Sequence, residues 1–425
     1  MLTREQNEFL TRTGPGTPMG NLFRRYWIPA LLDWELPGPD CSPVRVKLLG
    51  EELIAFRDTE GRIGLIDEFC AHRGVSLWFG RNEECGLRCS YHGWKYDVNG
   101  NCVDLPSEPG ERVRSRIKLK SYPTAELGGV IWAYMGPPEE KPALPNFEWV
   151  HLPASHRVIT KRWQESYYLQ AVEGGIDSSH VSFLHRGDLA SDPFHKNTAG
   201  AKFAKSTKTT FEIIDAPGGM LIGARRDADP GNAYWRITQW IMPWYTLIPP
   251  YAGNALNGHA WVPMDDENCV AWSMTFHPTQ PIPEEHVKLI KDGNGVHAEL
   301  IAGTFRPVAN RTNDYLIDRA KQKSGRHYSG VKGLAMQDAS IQESQGIIAD
   351  RTVEHLVTTD RAIVAARQRL LKAAEELQKG GKAPGLSPEA QLVRSASFVI
   401  PVDGEFEKHA VDAVKYRKGE PHVAV

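Results

Sequence analysis

The 425-residue chain is too long for one ordinary hydrophobic core, and its 41% hydrophobic and 24% charged side chains describe a globular protein, not a disordered one. Fifty basic against 52 acidic side chains leave a net charge of −2, which supplies no field for nucleic acid or an anionic membrane and leaves a small molecule or another protein as partner. No apolar run nears the ~20 residues that span a bilayer, and the opening Met1-Leu2-Thr3-Arg4-Glu5 is too polar for a signal peptide; a cytoplasmic protein is expected, whose six cysteines are metal ligands before they are disulfides.

From about Tyr26 to Tyr134 short β-rich runs alternate with turn signals: residues 44–49, 52–56 and 129–134 are the clearest runs. The turns include Asp58-Thr59-Glu60-Gly61 and Val98-Asn99-Gly100-Asn101, whose Asn-Gly pair favours a type I′ hairpin. A small all-β domain follows from this pattern. The proline-rich stretch 135–145 then breaks regular structure and divides the chain into 1–145, with its β core at about 26–135, and 146–425. Beyond it the pattern is mixed: a helix over 163–181, several strands over 207–248, and a long amphipathic segment over 341–378 read as helices packed on the core. The fold class is therefore α+β, an all-β domain followed by an α+β domain with late helices.

Two constellations stand out. The strings Cys70-Ala71-His72-Arg73-Gly74 and Cys89-Ser90-Tyr91-His92-Gly93-Trp94 each offer one thiolate and one imidazole, with sixteen residues between His72 and Cys89. A structural zinc site has the same ligand count, but such sites usually pair like with like. One cysteine and one histidine per loop suit a two-iron cluster, both cysteines on one iron and both histidines on the other. Cys85 and Cys102 match no part of this pattern and are read as small buried hydrophobes or surface thiols.

The second constellation is Asp177-Ser178-Ser179-His180-Val181-Ser182-Phe183-Leu184-His185. Five residues on a regular helix turn about 140°, so a distortion near Ser182 is expected if both imidazoles serve one ion. Two histidines and a carboxylate leave positions open for dioxygen on a non-haem iron.

Taken together, Cys-x-His with Cys-x-x-His, and Asp-x-x-His-x-x-x-x-His after it, resemble the motifs of Rieske non-haem iron aromatic-ring-hydroxylating oxygenases, alpha subunit, in the phthalate dioxygenase-like branch. The resemblance runs from Gly14-Pro15-Gly16-Thr17-Pro18-Met19-Gly20 through the late helices. It implies a Rieske [2Fe-2S] domain and a helix-grip catalytic domain, with Cys70 and Cys89 on the inner iron, His72 and His92 on the outer one, and His180 and His185 on a mononuclear Fe(II). It implies that Asp177 bridges a ligand histidine to a cluster histidine of the neighbouring subunit, within a homotrimer or stacked trimers in which the two metals of one subunit are too far apart. The third iron ligand lies on a late helix; Gln337-Asp338-Ala339-Ser340 resembles that region, which makes Asp338 the choice, with Asp350 and Asp360 as rivals. NAD(P)H would feed the cluster through a flavin and [2Fe-2S] reductase, and O2 would be the co-substrate.

For the aromatic substrate, Arg236 in Tyr234-Trp235-Arg236-Ile237-Thr238-Gln239-Trp240 could hold a carboxylate as a bidentate pair, or lie on an exposed strand face. Phe183, Trp240, Trp244 and Tyr245 are read as core, and Arg225-Arg226 as a basic pair on a loop. The expected activity is hydroxylation or cis-dihydroxylation of an aromatic acid in aromatic-compound catabolism. O-demethylation of a methoxylated acid is the alternative within the class. A Rieske electron carrier, or a zinc-stabilised binding protein, would need no second constellation.

Overall fold

A computed structural model describes residues 1–108, 111–325 and 327–425. The chain divides into two compact units, Thr13–Leu144 and Pro145–Val425, the second including the helical segment Met1–Arg12.

Among the described residues the smaller unit is built from ten short strands in three antiparallel sheets. These are β1 (Trp27–Leu32), β2 (Val44–Leu48), β3 (Glu51–Arg57), β4 (Ile63–Asp67), β5 (Arg81–Glu83), β6 (Gly86–Arg88), β7 (Lys95–Tyr96), β8 (Cys102–Asp104), β9 (Thr124–Leu127) and β10 (Val130–Tyr134). Their orders are β1-β10-β9, β2-β3-β4 and β5-β6-β7-β8. Ile54, Phe56, Ile66, Leu77, Leu87 and Tyr96 form one buried cluster that also takes in Cys70 and Cys89, so the two sulfurs hang from the core itself. The turn after β7 is not the expected type I′. Only Gly100 of the Asn-Gly pair has a positive φ (77°), because the Asp97 carboxylate accepts from the backbone N–H of Asn99 and Asn101 and holds a three-residue loop instead.

The larger unit carries one eight-stranded antiparallel sheet. Its strands are β11 (Arg157–Gln164), β12 (Thr210–Ala216), β13 (Gly219–Asp227), β14 (Asn232–Ile241), β15 (Tyr245–Ile248), β16 (Leu256–Pro263), β17 (Cys269–Phe276) and β18 (Ala396–Pro401). Their order is β11-β17-β16-β15-β14-β13-β12, with β18 paired to β14. The helix Tyr168–Ile176 packs on β14, β15 and β16, and the helix Leu334–Ser344 packs on it in turn. Among the described residues no helix is long and apolar enough to cross a membrane.

Several local expectations are corrected. Trp163 belongs to a strand, because Arg157–Gln164 pairs along its whole length with β17; the helix begins only at Tyr168 and ends at Ile176. The helices expected over 341–378 are present as the end of Leu334–Ser344 and as Arg361–Gln378, but the stretch between them is not α-helical, and there the Asp350 carboxylate accepts from the Thr352 N–H. Arg225 and Arg226 lie within β13, not on a loop, and Arg226 is fully buried. Trp240, Trp244 and Tyr245 are core, whereas Phe183 is 46% exposed.

Candidate metal centres

The two cysteine-histidine loops repeat one backbone design. The Cys70 N–H donates to the Val75 carbonyl and the Gly74 N–H to the Cys70 carbonyl; Cys89, Trp94 and Gly93 make the same pair of bonds. Gly74 and Gly93 sit at φ 69° and 78°, a conformation that strains any residue with a Cβ. Each loop therefore buries its sulfur (Cys70 and Cys89 are both 3% exposed) and turns its imidazole outward. The His72 and His92 Nδ1 atoms come within 3.2 Å, and the His72 ring stacks on Trp94 at 4.4 Å. Burial pushes the Cys89 thiol up, with the neighbouring Cys70 adding to it, a cost that a cluster iron would remove by binding the thiolate.

A single tetrahedral ion needs its four donors within about 4 Å of one another. Among the described residues, the metal-ligating side chains with three donor atoms mutually within 4.8 Å are His180, His185 and Asp338, and separately Asp58, Glu60 and Cys85. The two cysteine-histidine loops instead each bring one sulfur and one imidazole, with His72 and His92 side by side, the donor set of a two-iron cluster.

The second centre is built at helix ends. The helix Tyr168–Ile176 stops at Asp177, whose backbone is extended. A one-turn helix, Val181–Leu184, follows, with His180 at its N-cap and His185 at its C-cap. The distortion thus lies at the helix ends and not at Ser182, whose hydroxyl bonds the Ser179 carbonyl inside an intact turn. His180 Nε2 and His185 Nε2 are 3.2 Å apart, and Asp338 Oδ1 lies 3.5 Å from the first and 3.1 Å from the second. Burial alone would raise the Asp338 carboxyl, but the His185 hydrogen bond and the charges of both histidines outweigh it and bring it down to about 2. Asp350 and Asp360 are spent elsewhere, on the N–H groups of Thr352 and Val357.

Comparison with known proteins finds two matching families along the chain. Residues 26–123 match the Rieske [2Fe-2S] domain, and residues 133–420 match the LigXa C-terminal domain like family. The chain is 37% identical to the 3-chlorobenzoate-3,4-dioxygenase oxygenase subunit of Comamonas testosteroni, over 96% of this chain and 97% of that one. It is 36% identical to the phthalate 4,5-dioxygenase oxygenase subunit of Pseudomonas putida, over 94% and 92%. This chain is a Rieske oxygenase. Its fold is also that of dicamba monooxygenase, with a TM-score of 0.60 at 18% identity over 84% of this chain and 98% of that one. As a Rieske oxygenase it works with a [2Fe-2S] cluster, a mononuclear iron and dioxygen.

The donor sets of this Rieske oxygenase fit those groups, and the outer partners of the triad sharpen the fit. Asp177 Oδ2 lies 3.4 Å from His180 Nδ1, while its Oδ1 accepts from the Ser179 N–H and hydroxyl. Burial would raise Asp177, but His180 and Ser179 hold it below the usual carboxylate range. His185 Nδ1 donates to Gln337 Oε1 at 2.7 Å, and the Gln337 amide donates in turn to Asp188 and the Val331 carbonyl. Both imidazoles are thereby fixed with Nε2 turned toward Asp338. The sequence marks neither Gln337 nor Asp188.

Beside the triad a cavity of about 110 Å³ opens onto the inner face of the sheet, lined by Arg236, Thr238, Asn257, His259 and Trp261 together with apolar groups such as Ile248 and Leu334. Arg236 is 4% exposed and lies over the Tyr251 ring at 4.7 Å; its Nε and Nη1 have no hydrogen-bond partner. The readable signal was Arg236-x-Thr238 and Asn257-x-His259, polar residues at period two in strands that are otherwise buried on both faces.

Proposed function

We propose that this Rieske oxygenase is the terminal oxygenase of a multicomponent system that hydroxylates or cis-dihydroxylates a single-ring aromatic carboxylic acid. The observation behind this is Arg236, a buried guanidinium that lines the cavity of the triad beside the Tyr251 ring. A buried cation without an anion beside it is unfavourable, and a carboxylate satisfies its planar fork bidentately. The apolar part of the lining suits a ring, and the cavity is of the order of the ~150 Å³ that holds a benzene. A chlorobenzoate and a phthalate, named for two relatives, belong to this class.

In this reading Cys70, Cys89, His72 and His92 hold the cluster, and His180, His185 and Asp338 hold the mononuclear iron. Bound there, the iron supplies the activation of dioxygen next to the substrate. Asp177 orients His180 and carries the electron path to a cluster histidine of a neighbouring subunit in a homotrimer or stacked trimers. Electrons come from NAD(P)H through a flavin and [2Fe-2S] reductase, and the six free cysteines suit a reducing cytoplasm.

The test is turnover of the chemically reduced holoenzyme with benzoates, phthalates and methoxybenzoates under ¹⁸O₂. Label in the ring product, and a KM raised roughly tenfold or more by Arg236→Gln, are the expected results. Formaldehyde release without ring hydroxylation would replace hydroxylation by O-demethylation, and an unchanged KM in Arg236→Gln would remove the carboxylate anchor.

A further inference from the structure

The cavity holds a second polar group that the carboxylate leaves unused. His259 sits on β16 opposite Thr246 of β15 and Ser273 of β17, and it lines the cavity with Asn257 and Trp261, its neighbours two residues away on the same face. The ring is held on two sides. It lies against Trp261 at 4.9 Å between centroids, and its Nε2 is 3.3 Å from the Val296 carbonyl oxygen.

A carbonyl can only accept, so Nε2 carries the proton. Burial, reinforced by the nearby Arg162 guanidinium, pushes the imidazolium down to about 4, and the ring is neutral at physiological pH. Nδ1 is then a lone-pair acceptor, and among the described residues no protein group donates to it. An acceptor that lines the cavity with no protein donor is open to a partner from outside the protein. Arg236 cannot share this task, since a guanidinium offers donors only. The two side chains read opposite chemistry: one takes an anion, the other a hydrogen.

We propose that His259 determines specificity by accepting a hydrogen bond from the substrate, so that the aromatic acid taken by this cavity also carries a hydroxyl or amino group. This rests on the aromatic-acid reading above and narrows it. The neutral imidazole, held by Val296 and Trp261, selects against rings that carry a halogen or hydrogen where the donor belongs.

The test is anaerobic titration calorimetry of the holoenzyme with benzoate, the three hydroxybenzoates and the three fluorobenzoates, which match in size but cannot donate. The readout is the ratio of Kd for benzoate to Kd for each substituted acid. For one hydroxybenzoate isomer the ratio should reach roughly tenfold or more, the fluoro counterpart staying near one. His259→Phe should bring the hydroxybenzoate ratio to about one, and His259→Gln, which keeps an acceptor, should restore part of it. Cluster absorbance and iron content report that each variant is folded. A ratio near one for every isomer in the wild type, or a tenfold ratio surviving in His259→Phe, would overturn the proposal. Arg236→Gln separates the two layers: if benzoate affinity itself is unchanged there, the carboxylate reading fails, whatever the hydroxyl ratio shows.

Discussion

Gln337 shows how much of the proposed iron site can rest on one uncharged side chain. Its carbonyl oxygen accepts from His185 and its amide donates to Asp188, which also meets His327 Nδ1 at 3.1 Å. Replacing it by Leu leaves His185 Nδ1 without its acceptor in a buried place and Asp188 with His327 alone, so Gln337→Leu is expected to weaken mononuclear iron binding roughly 10–100-fold. Iron titration, with the cluster absorbance as internal reference, measures this. A second single-atom effect lies at the cluster. The Tyr96 hydroxyl is 3.3 Å from Cys70 Sγ and also accepts from the Ala71 N–H, which leaves its own hydrogen for the sulfur. A hydrogen bond to a cluster sulfur favours the more negative, reduced state. Tyr96→Phe should therefore lower the cluster potential by about 20–60 mV, taking one hydrogen bond as about 0.5–1.5 kcal/mol in a one-electron couple, and redox titration followed by electron paramagnetic resonance would read it. At this scale legibility followed chain distance. Cysteines and histidines one or two residues apart declare themselves in sequence, and so do His180 and His185. Gln337 stands 152 residues from His185, and nothing local to a glutamine says that it will face an imidazole. Arg236 was legible as a charged residue in an aromatic-rich strand and His259 was missed, because a strand's sequence does not say which face encloses a cavity.

Among the elements, the helix Tyr168–Ile176 matters most, because its C-terminal end delivers Asp177 and the histidines that follow. Its position is locked by Glu173, whose Oε1 takes hydrogen bonds from Arg351 at 2.9 Å and Arg367 at 2.7 Å. Burial would raise this carboxyl, but the two arginines outweigh it and hold it below its ordinary value. A depressed folded value means that the carboxylate's stabilisation is full above the unfolded pKa of 4.5 and is lost as the pH falls through the folded one. Glu173→Gln leaves the buried Arg351 without its anion and Arg367 with Glu354 alone, and breaking such a network costs about 3–5 kcal/mol. Denaturant unfolding at neutral pH should show that loss for the larger unit, and the variant should lack the part of the acid-induced loss that Glu173 contributes below pH 4.5. A loss under about 1 kcal/mol would mean that Glu354, which also pairs with Arg367 at 2.6 and 2.7 Å, carries the network alone. Element types were readable where periodicity was strong, as in the strands between 207 and 248. They failed around 163, where the run Arg157–Gln164 is set by its pairing with Cys269–Phe276 more than a hundred residues away.

For the whole molecule the open step is how an electron leaves the cluster and reaches the iron, and the proposed trimer makes a distinctive prediction. Cys89→Ser should destroy the cluster and spare the triad; Asp338→Ala should lose the mononuclear iron and spare the cluster. Each homogeneous variant is then inactive. If the electron crosses between subunits through Asp177, mixed trimers place an intact cluster from one variant against an intact iron site of the other. Random reassembly at equal amounts makes roughly a quarter of the cluster-to-iron junctions complete, and substrate turnover should return to about that fraction of wild type. Transfer within a single chain predicts no recovery, since no chain in the mixture holds both metals. Adding Asp177→Asn to the Cys89→Ser chain sharpens the outcome: iron content stays, because Asp177 is not one of the three triad groups, but the recovered turnover disappears. The same addition to the Asp338→Ala chain should change nothing, because that subunit's own iron site is already empty of function. This asymmetry assigns the route to Asp177 of the iron-bearing subunit, which a general loss of fold or of trimer assembly could not imitate.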